Sequence, residues 1–291
     1  MSVPVAFVGV VLIWSTTPLA IQWSSESAGF LFGVTARMLL GLLVCLVVLR
    51  LVGISFSWNR AARKTYLVAG LGIYGAMTAV YWSAQFVPSG WIAVIFGLSP
   101  LVTGVMSWIW FRTGSLSGLR IVGLLAGVAG LAIMFSQSLE LGTNVIAGLA
   151  GVFLAVILHS TSAVWVSRLG GDQPALAVTA GGLTVAVPLF VLTWFALDGQ
   201  WPEAMTDRTR YSIVYLAVFG SVIGFFWYFY LLRHLDVVKV NLLTLVTPVF
   251  SLLLGHWLNN EVLNVEVWAG ALMIMAGLVV FHLGSVRSTD R

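Results

Sequence analysis

The sequence predicts an all-α, polytopic membrane protein, with ten transmembrane helices arranged as two inverted five-helix repeats. Three observations carry that prediction. First, 60% of the 291 residues belong to the set AVILMFWYC, 8% are charged, and the mean hydropathy is +1.02. A soluble chain is about 45–50% apolar and about 25% charged, so too few polar side chains exist here to coat a water-soluble domain. Second, the apolar residues fall into blocks of membrane-spanning length. Third, the two halves repeat one pattern of prolines, glycines and hydroxyls. An ordinary soluble enzyme, a disordered tail and a disulfide scaffold are excluded. The lone cysteine, Cys45, allows neither an intramolecular disulfide nor a thiolate cluster.

A helix crosses the hydrocarbon core with about 20 mostly apolar residues. The first two candidate spans, 3–23 and 29–51, are separated by a polar stretch containing Glu26, and the second ends at Arg50. Spans 65–86 and 90–111 follow the Arg60, Arg63 and Lys64 cluster and stop at Arg112, and span 118–136 precedes Glu140. Span 145–167 ends at Arg168, and 175–197 ends before Asp198. Span 211–232 follows the Glu203–Arg210 loop, 238–258 lies between Arg233 and Glu261, and 266–285 precedes Arg287. Unbroken apolar blocks of this length disfavour a β-barrel, which would show alternating segments of about ten residues.

Orientation follows from Lys and Arg placement. With the N-terminus inside, eleven basic residues (Arg50, Arg60, Arg63, Lys64, Arg112, Arg120, Arg168, Arg233, Lys239, Arg287, Arg291) face the cytoplasm and two, Arg208 and Arg210, face out. Both termini are therefore expected in the cytoplasm. Met1-Ser2-Val3 has no basic n-region, so no cleavable signal peptide is expected. The net charge of +4 and pI near 9.5 come without a long basic run, which argues against nucleic acid.

The repeat is legible residue by residue. Gly97-Leu98-Ser99-Pro100-Leu101-Val102 aligns with Leu245-Val246-Thr247-Pro248-Val249-Phe250. Gly123 and Gly130 fall on Gly270 and Gly277, Trp110 on Trp257, and Trp14-Ser15-Thr16 on His159-Ser160-Thr161. The halves are residues 1–137 and 144–287. Five spans is an odd number, so the second half inserts upside down about an axis in the membrane plane, an architecture typical of secondary transporters with a site at mid-depth.

On these residues the chain resembles the drug/metabolite transporter superfamily, EamA type. The marks are five plus five spans, Trp14-Ser15-Thr16 in span one, Arg37 in span two, prolines in spans four and nine, and the Pro248, Glu261, Gly270, Gly277 ending. Leu12-Ile13-Trp14-Ser15-Thr16 is similar to the bacterial aromatic amino-acid exporters (YddG-like). The resemblance implies an inner-membrane exporter of small metabolites, namely aromatic or other apolar amino acids, working by alternating access; a multidrug or other metabolite exporter is the alternative. Gly97 and Ser99 stand where the family pattern implies aromatics beside the span-four proline, which points to a wider cavity or a different cargo.

Candidate chemistry is sparse. No metalloprotease, phosphate-loop or nucleophile-elbow motif occurs, so no enzyme activity, cofactor or metal is expected; the expected partners are the bilayer and a small-molecule substrate, the chain acting as a monomer. Ionisable side chains at depth usually face a bundle interior or cavity, which singles out Arg37 and His159. Arg37 is a candidate contact for a substrate carboxylate; an arginine that snorkels or ties helices is the structural alternative. His159 with Ser160, and its repeat mate Trp14 with Ser15, are candidate cavity walls, or else interhelical hydrogen bonds. Tyr74, Thr78 and Tyr81 share one face of span three, suited to a cavity or to helix packing. Pro100 and Pro248 cannot donate to the helix ladder, so kinks are expected there, with carbonyls near Phe96 and Thr244 freed beside Ser99 and Thr247. Gly123, Gly127, Gly130, Gly270 and Gly277 mark smooth packing faces, expected to brace each half. No acid falls in mid-span, so no carboxylate proton relay is expected; His159 is the deep group whose ordinary titration range lies near neutrality.

Overall fold

The computed structural model describes residues 2–112, 118–136, 143–171, 173–240, 243 and 246–289. The described residues form ten hydrophobic helices: α1 (Val3–Ser25), α2 (Phe30–Val52), α3 (Arg60–Ser83), α4 (Ser89–Phe96 and Ser99–Phe111), α5 (Gly118–Phe135), α6 (Thr143–Leu169), α7 (Ala175–Leu197), α8 (Asp207–His234), α9 (Val237–Val240 and Thr247–Asn259) and α10 (Val265–Thr289). Seven of these are each long and apolar enough to cross a membrane; α5 is a shorter apolar helix, and α3 is diluted by tyrosines and threonines.

Local chemistry sets the ends. Gly53 stops α2 in the left-handed conformation (φ 70°), donating its amide to Arg50 and Leu49 carbonyls. Asn59 caps α3 by accepting from the Ala62 amide at 2.8 Å, so the helix begins earlier than the apolar block does. Its first turn keeps Arg60, Arg63 and Lys64 exposed. Thr206 caps α8 in the same way, taking the Thr209 amide. Trp58, Trp201 and Trp257 are exposed at helix ends, where amphipathic rings suit the membrane interface.

The packing obeys a two-fold exchange of α1 with α6, α2 with α7, α3 with α8, α4 with α9 and α5 with α10. Thus α3 lies on α6 as α8 lies on α1, α3 on α7 as α8 on α2, and α4 faces α9. The sharpest expression is at α5 and α10. A Cβ on Gly123 would stand 2.5 Å from the Gly277 carbonyl, and one on Gly130 2.7 Å from the Gly270 carbonyl. Reciprocally, Gly270 meets the Gly130 carbonyl at 2.6 Å and Gly277 meets that of Gly123 at 2.7 Å. Only an antiparallel pair related by an in-plane axis crosses its repeat mates in this way. These glycines therefore clamp the two halves to each other, correcting the expectation that each braces its own half. A second signature is Arg112 and Asn260, the two non-glycine residues with positive φ among those described, both at 52°. Each terminates the segment that begins with a Ser/Thr-Pro pair.

Pro100 and Pro248 do not kink continuous helices. Each sits in the first turn of a new segment, where a missing amide costs nothing. Helix α4 breaks at Gly97 and Leu98, and the carbonyl of Phe96 accepts the Ser99 hydroxyl at 2.7 Å. The corresponding carbonyl of Thr244 lies outside the described residues. A further irregularity is a π-helical turn over Leu216–Ile223 in the middle of α8.

Candidate functional site

The helices leave a cavity at the repeat interface with about 630 Å³ of empty space, its mouth included. Helix α1 contributes Trp14, Thr17, Pro18 and Ile21; α2 Arg37; α3 Met77 and Val80; α4 Ile92, Ala93 and Phe96; α6 His159; α8 Gly220 and Phe225; α9 Thr247. Helix α2 joins the other walls through one side chain, Arg37.

Aromatic rings form the floor. The Trp14 ring lies 5.8 Å from His159 in an edge contact and 5.0 Å from Tyr228. His159 stands 5.2 Å from Tyr228 and 5.9 Å from Phe96. Edge and tilted contacts of this kind suit the ring quadrupoles. The Tyr228 ring backs the floor from behind, and its buried hydroxyl has no hydrogen-bond partner among the described residues. A smaller cavity, which shares Met77, His159 and Phe225 with the first, continues beyond the floor to Gly72, Ser162 and Phe229.

Arg37 is 1% exposed. Its Nε donates to the Ser221 hydroxyl at 2.9 Å, and its guanidinium carbon sits 6.0 Å from the Tyr81 ring centre. Gly220 makes room for the guanidinium, since a Cβ there would come within 2.8 Å of Nη2. Gly220 and Ser221 both belong to the π turn, a distortion that recurs at functional sites. Nη1 is buried with no partner. The acids among the described residues fall in loops or at helix ends, so no carboxylate among them neutralises this cation. A buried charge without a counter-ion is costly.

The end of the bundle that carries Glu26, Asp198 and Glu261 is closed by a polar web. The Glu261 carboxylate accepts the Ser89 amide at 2.9 Å and the Gly90 amide at 3.2 Å, capping α4. Asn259 donates to Glu261 at 3.2 Å and to Gln22 at 3.1 Å, and accepts from Trp23. Gln22 in turn donates to the Val87 carbonyl at 2.8 Å. Gly255 leaves the space that the Glu261 carboxylate occupies.

Of the residues singled out from sequence, Trp14, Arg37, His159 and Thr247 come together at the cavity. The others stand outside its lining. The Ser15 hydroxyl bonds back to Val11, and the Ser15 carbonyl accepts from Ser251. The Ser160 hydroxyl reaches the Ser99 carbonyl at 3.4 Å. Pro100 and Pro248 are buried at their segment starts. Tyr74 ties α3 to α7 through Thr193 at 2.6 Å, Thr78 bonds back to Tyr74, and the Tyr81 hydroxyl accepts from Ser24 at 3.3 Å. The face of α3 turned to the cavity is the adjacent one, with Met77 and Val80. Sequence reasoning missed Tyr228, Phe225, Gly220 and Ser221; each depends on the phase of α8, which the π turn shifts.

An inverted repeat of ten membrane helices around a central cavity is the build of a multi-pass membrane transporter. The chain belongs to the EamA-like transporter family, whose pattern matches residues 1–136 and again 146–283. Among curated relatives it is 24% identical to the uncharacterized transporter YvbV of Bacillus subtilis, covering 94% of this chain and 90% of that one. It is 28% identical to the uncharacterized inner membrane transporter YedA of Escherichia coli K12, covering 94% and 88%. A solved crystal structure shares the fold with a TM-score of 0.73 at 20% identity, covering 99% of both chains. The family and the names of its members point to transport rather than catalysis.

Proposed function

We propose that the protein exports small apolar carboxylates, with aromatic and other apolar amino acids the first class to test, across the bacterial inner membrane. The route is the central cavity, opened by alternating access to either side, with both termini in the cytoplasm. The observation that carries this reading is Arg37: a buried guanidinium with an unpartnered Nη1 at a cavity otherwise lined almost wholly by apolar and aromatic side chains. A guanidinium fork matches a carboxylate, and the charge-assisted pair it forms is among the stronger hydrogen-bonded contacts. The aromatic floor of Trp14, Phe96 and His159, backed by Tyr228, supports an apolar body. Site at the interface of inverted repeats is the arrangement on which two-sided access rests. A lipophilic cation fits less well, because Arg37 repels it. Flux into proteoliposomes, measured with labelled amino acids, sugars and lipophilic cations, tests the reading. Saturable amino-acid or carboxylate flux supports it; flux of cations alone overturns it in favour of multidrug efflux.

A further inference from the structure

We infer that the site reads the carboxylate and apolar body of its cargo and leaves an amino group unread, so that monoanionic acids are carried in preference to amino acids and their transport is electrogenic. The inference rests on the carboxylate reading of the cavity given above and extends it to the cargo's charge.

An ammonium group brings three donors and no acceptor, so a site that reads it must offer acceptors or a negative charge. The cavity lining holds no Asp or Glu. Two carbonyls on the walls already accept from the chain's own hydroxyls. Ile13 accepts from Thr16 at 2.8 Å and from Thr17 at 2.7 Å, and Phe96, at the break in α4, accepts from Ser99 at 2.7 Å. Among the lining side chains the buried, unpartnered group is a donor, Nη1 of Arg37; the His159 ring and the Thr247 hydroxyl can each donate or accept, and neither carries a negative charge. A site whose charged group is a donor is complementary to oxygen acceptors, and a carboxylate supplies four lone-pair positions.

Charge arithmetic points the same way. With Arg37 as the cavity's fixed cation, a bound monoanion brings the site to neutrality, a zwitterion leaves it at plus one and a lipophilic cation raises it to plus two. In a surrounding of low dielectric the neutral complex is favoured. Ring faces of Trp14 and Phe96 can soften an ammonium's desolvation, but they do not remove its repulsion by Arg37. A monoanion carries one negative charge per crossing, and an inside-negative membrane then drives export by itself, without an ion-coupling acid.

The test uses the intact protein in proteoliposomes at pH 7, with two labelled probes of nearly equal shape, phenylpyruvate and phenylalanine. Valinomycin and a tenfold outward potassium gradient set the potential. The expected result is tenfold enrichment of phenylpyruvate outside over inside, absent from protein-free vesicles, with no enrichment of phenylalanine and slower phenylalanine exchange. Arg37→Gln abolishes the phenylpyruvate flux; if that variant fails to fold, the wild-type comparison decides alone. Phenylalanine flux without phenylpyruvate flux, or phenylpyruvate flux indifferent to potential, overturns this inference and leaves the carboxylate reading standing. Movement of neither probe, nor of any other carboxylate, overturns both.

Discussion

Glu261 and Ser89 are 172 positions apart in sequence, yet a carboxylate oxygen of one sits 2.9 Å from the amide of the other. The second oxygen takes the Gly90 amide at 3.2 Å, so the loop between α9 and α10 grips the first turn of α4. That grip joins the repeats at one end of the cavity, where Gln22 and Asn259 extend it to α1.

Loosening the grip should open that end. Hydrogen bonds to a charged group contribute about 1.5–3 kcal/mol each. In a Cys45→Ala, Ala93→Cys background, Glu261→Ala is expected to raise labelling of the new thiol by an impermeant reagent on the order of tenfold or more. Glu261→Gln, which retains an acceptor for Ser89, falls between. Equal labelling in all three would show that the web is not what closes the cavity.

Arg37 variants should grade by geometry. Arg37→Gln removes the charge and is expected to cut carboxylate flux at least tenfold at normal expression. Arg37→Lys keeps the charge without the fork and recovers part of it. Ser221→Ala removes the hydroxyl bonded to Nε at 2.9 Å; it should raise KM more than it lowers the maximal rate. The measurement is initial flux over a concentration series, normalised to purified protein.

The glycine clamp between α5 and α10 should tolerate no side chain. Gly123→Ala places a methyl 2.5 Å from the Gly277 carbonyl, and overpacking of this kind costs about 1–3 kcal/mol. A lower Tm in detergent is expected for Gly123→Ala and Gly270→Ala, and an unchanged one for Val128→Ala on the exposed face of α5.

An imposed pH gradient alone should concentrate no cargo. None of the acids among the described residues lies in mid-span, and proton-coupled carriers commonly place one there. His159 remains the deep side chain whose ordinary range is near neutrality. Accumulation against a gradient that disappears in His159→Ala would make it the coupling group; accumulation that survives would reveal another proton path.

Much of the architecture was legible because repeats and spans are one-dimensional signals. Ser99-Pro100 against Thr247-Pro248 and Gly123 against Gly270 announce a duplication whatever the packing, and Arg37 announces itself by depth. The unread features depend on rotation or long range. Tyr74, Thr78 and Tyr81 share a helix face, but which neighbour that face meets is set by α7, where Thr193 takes the Tyr74 hydroxyl. Leu216–Ile223 carries no local mark of a π turn, so the phase of Tyr228 and Ser221 could not be counted along α8. The prolines were read as kinks because the break at Gly97 and Leu98, which turns Pro100 into a helix start, is visible only in three dimensions.

The π turn has a bearing on energetics beyond holding Arg37. Two identical halves related by an in-plane axis would give a carrier whose two open forms are degenerate, with no preferred side at rest. Helix α3, the partner of α8 under that axis, is α-helical throughout Arg60–Ser83, so the distortion in α8 has no counterpart. The degeneracy is thereby lifted. Under the alternating access proposed above, one side of the membrane is expected to see the vacant site more often than the other, a built-in resting posture even when solutions on both sides are the same.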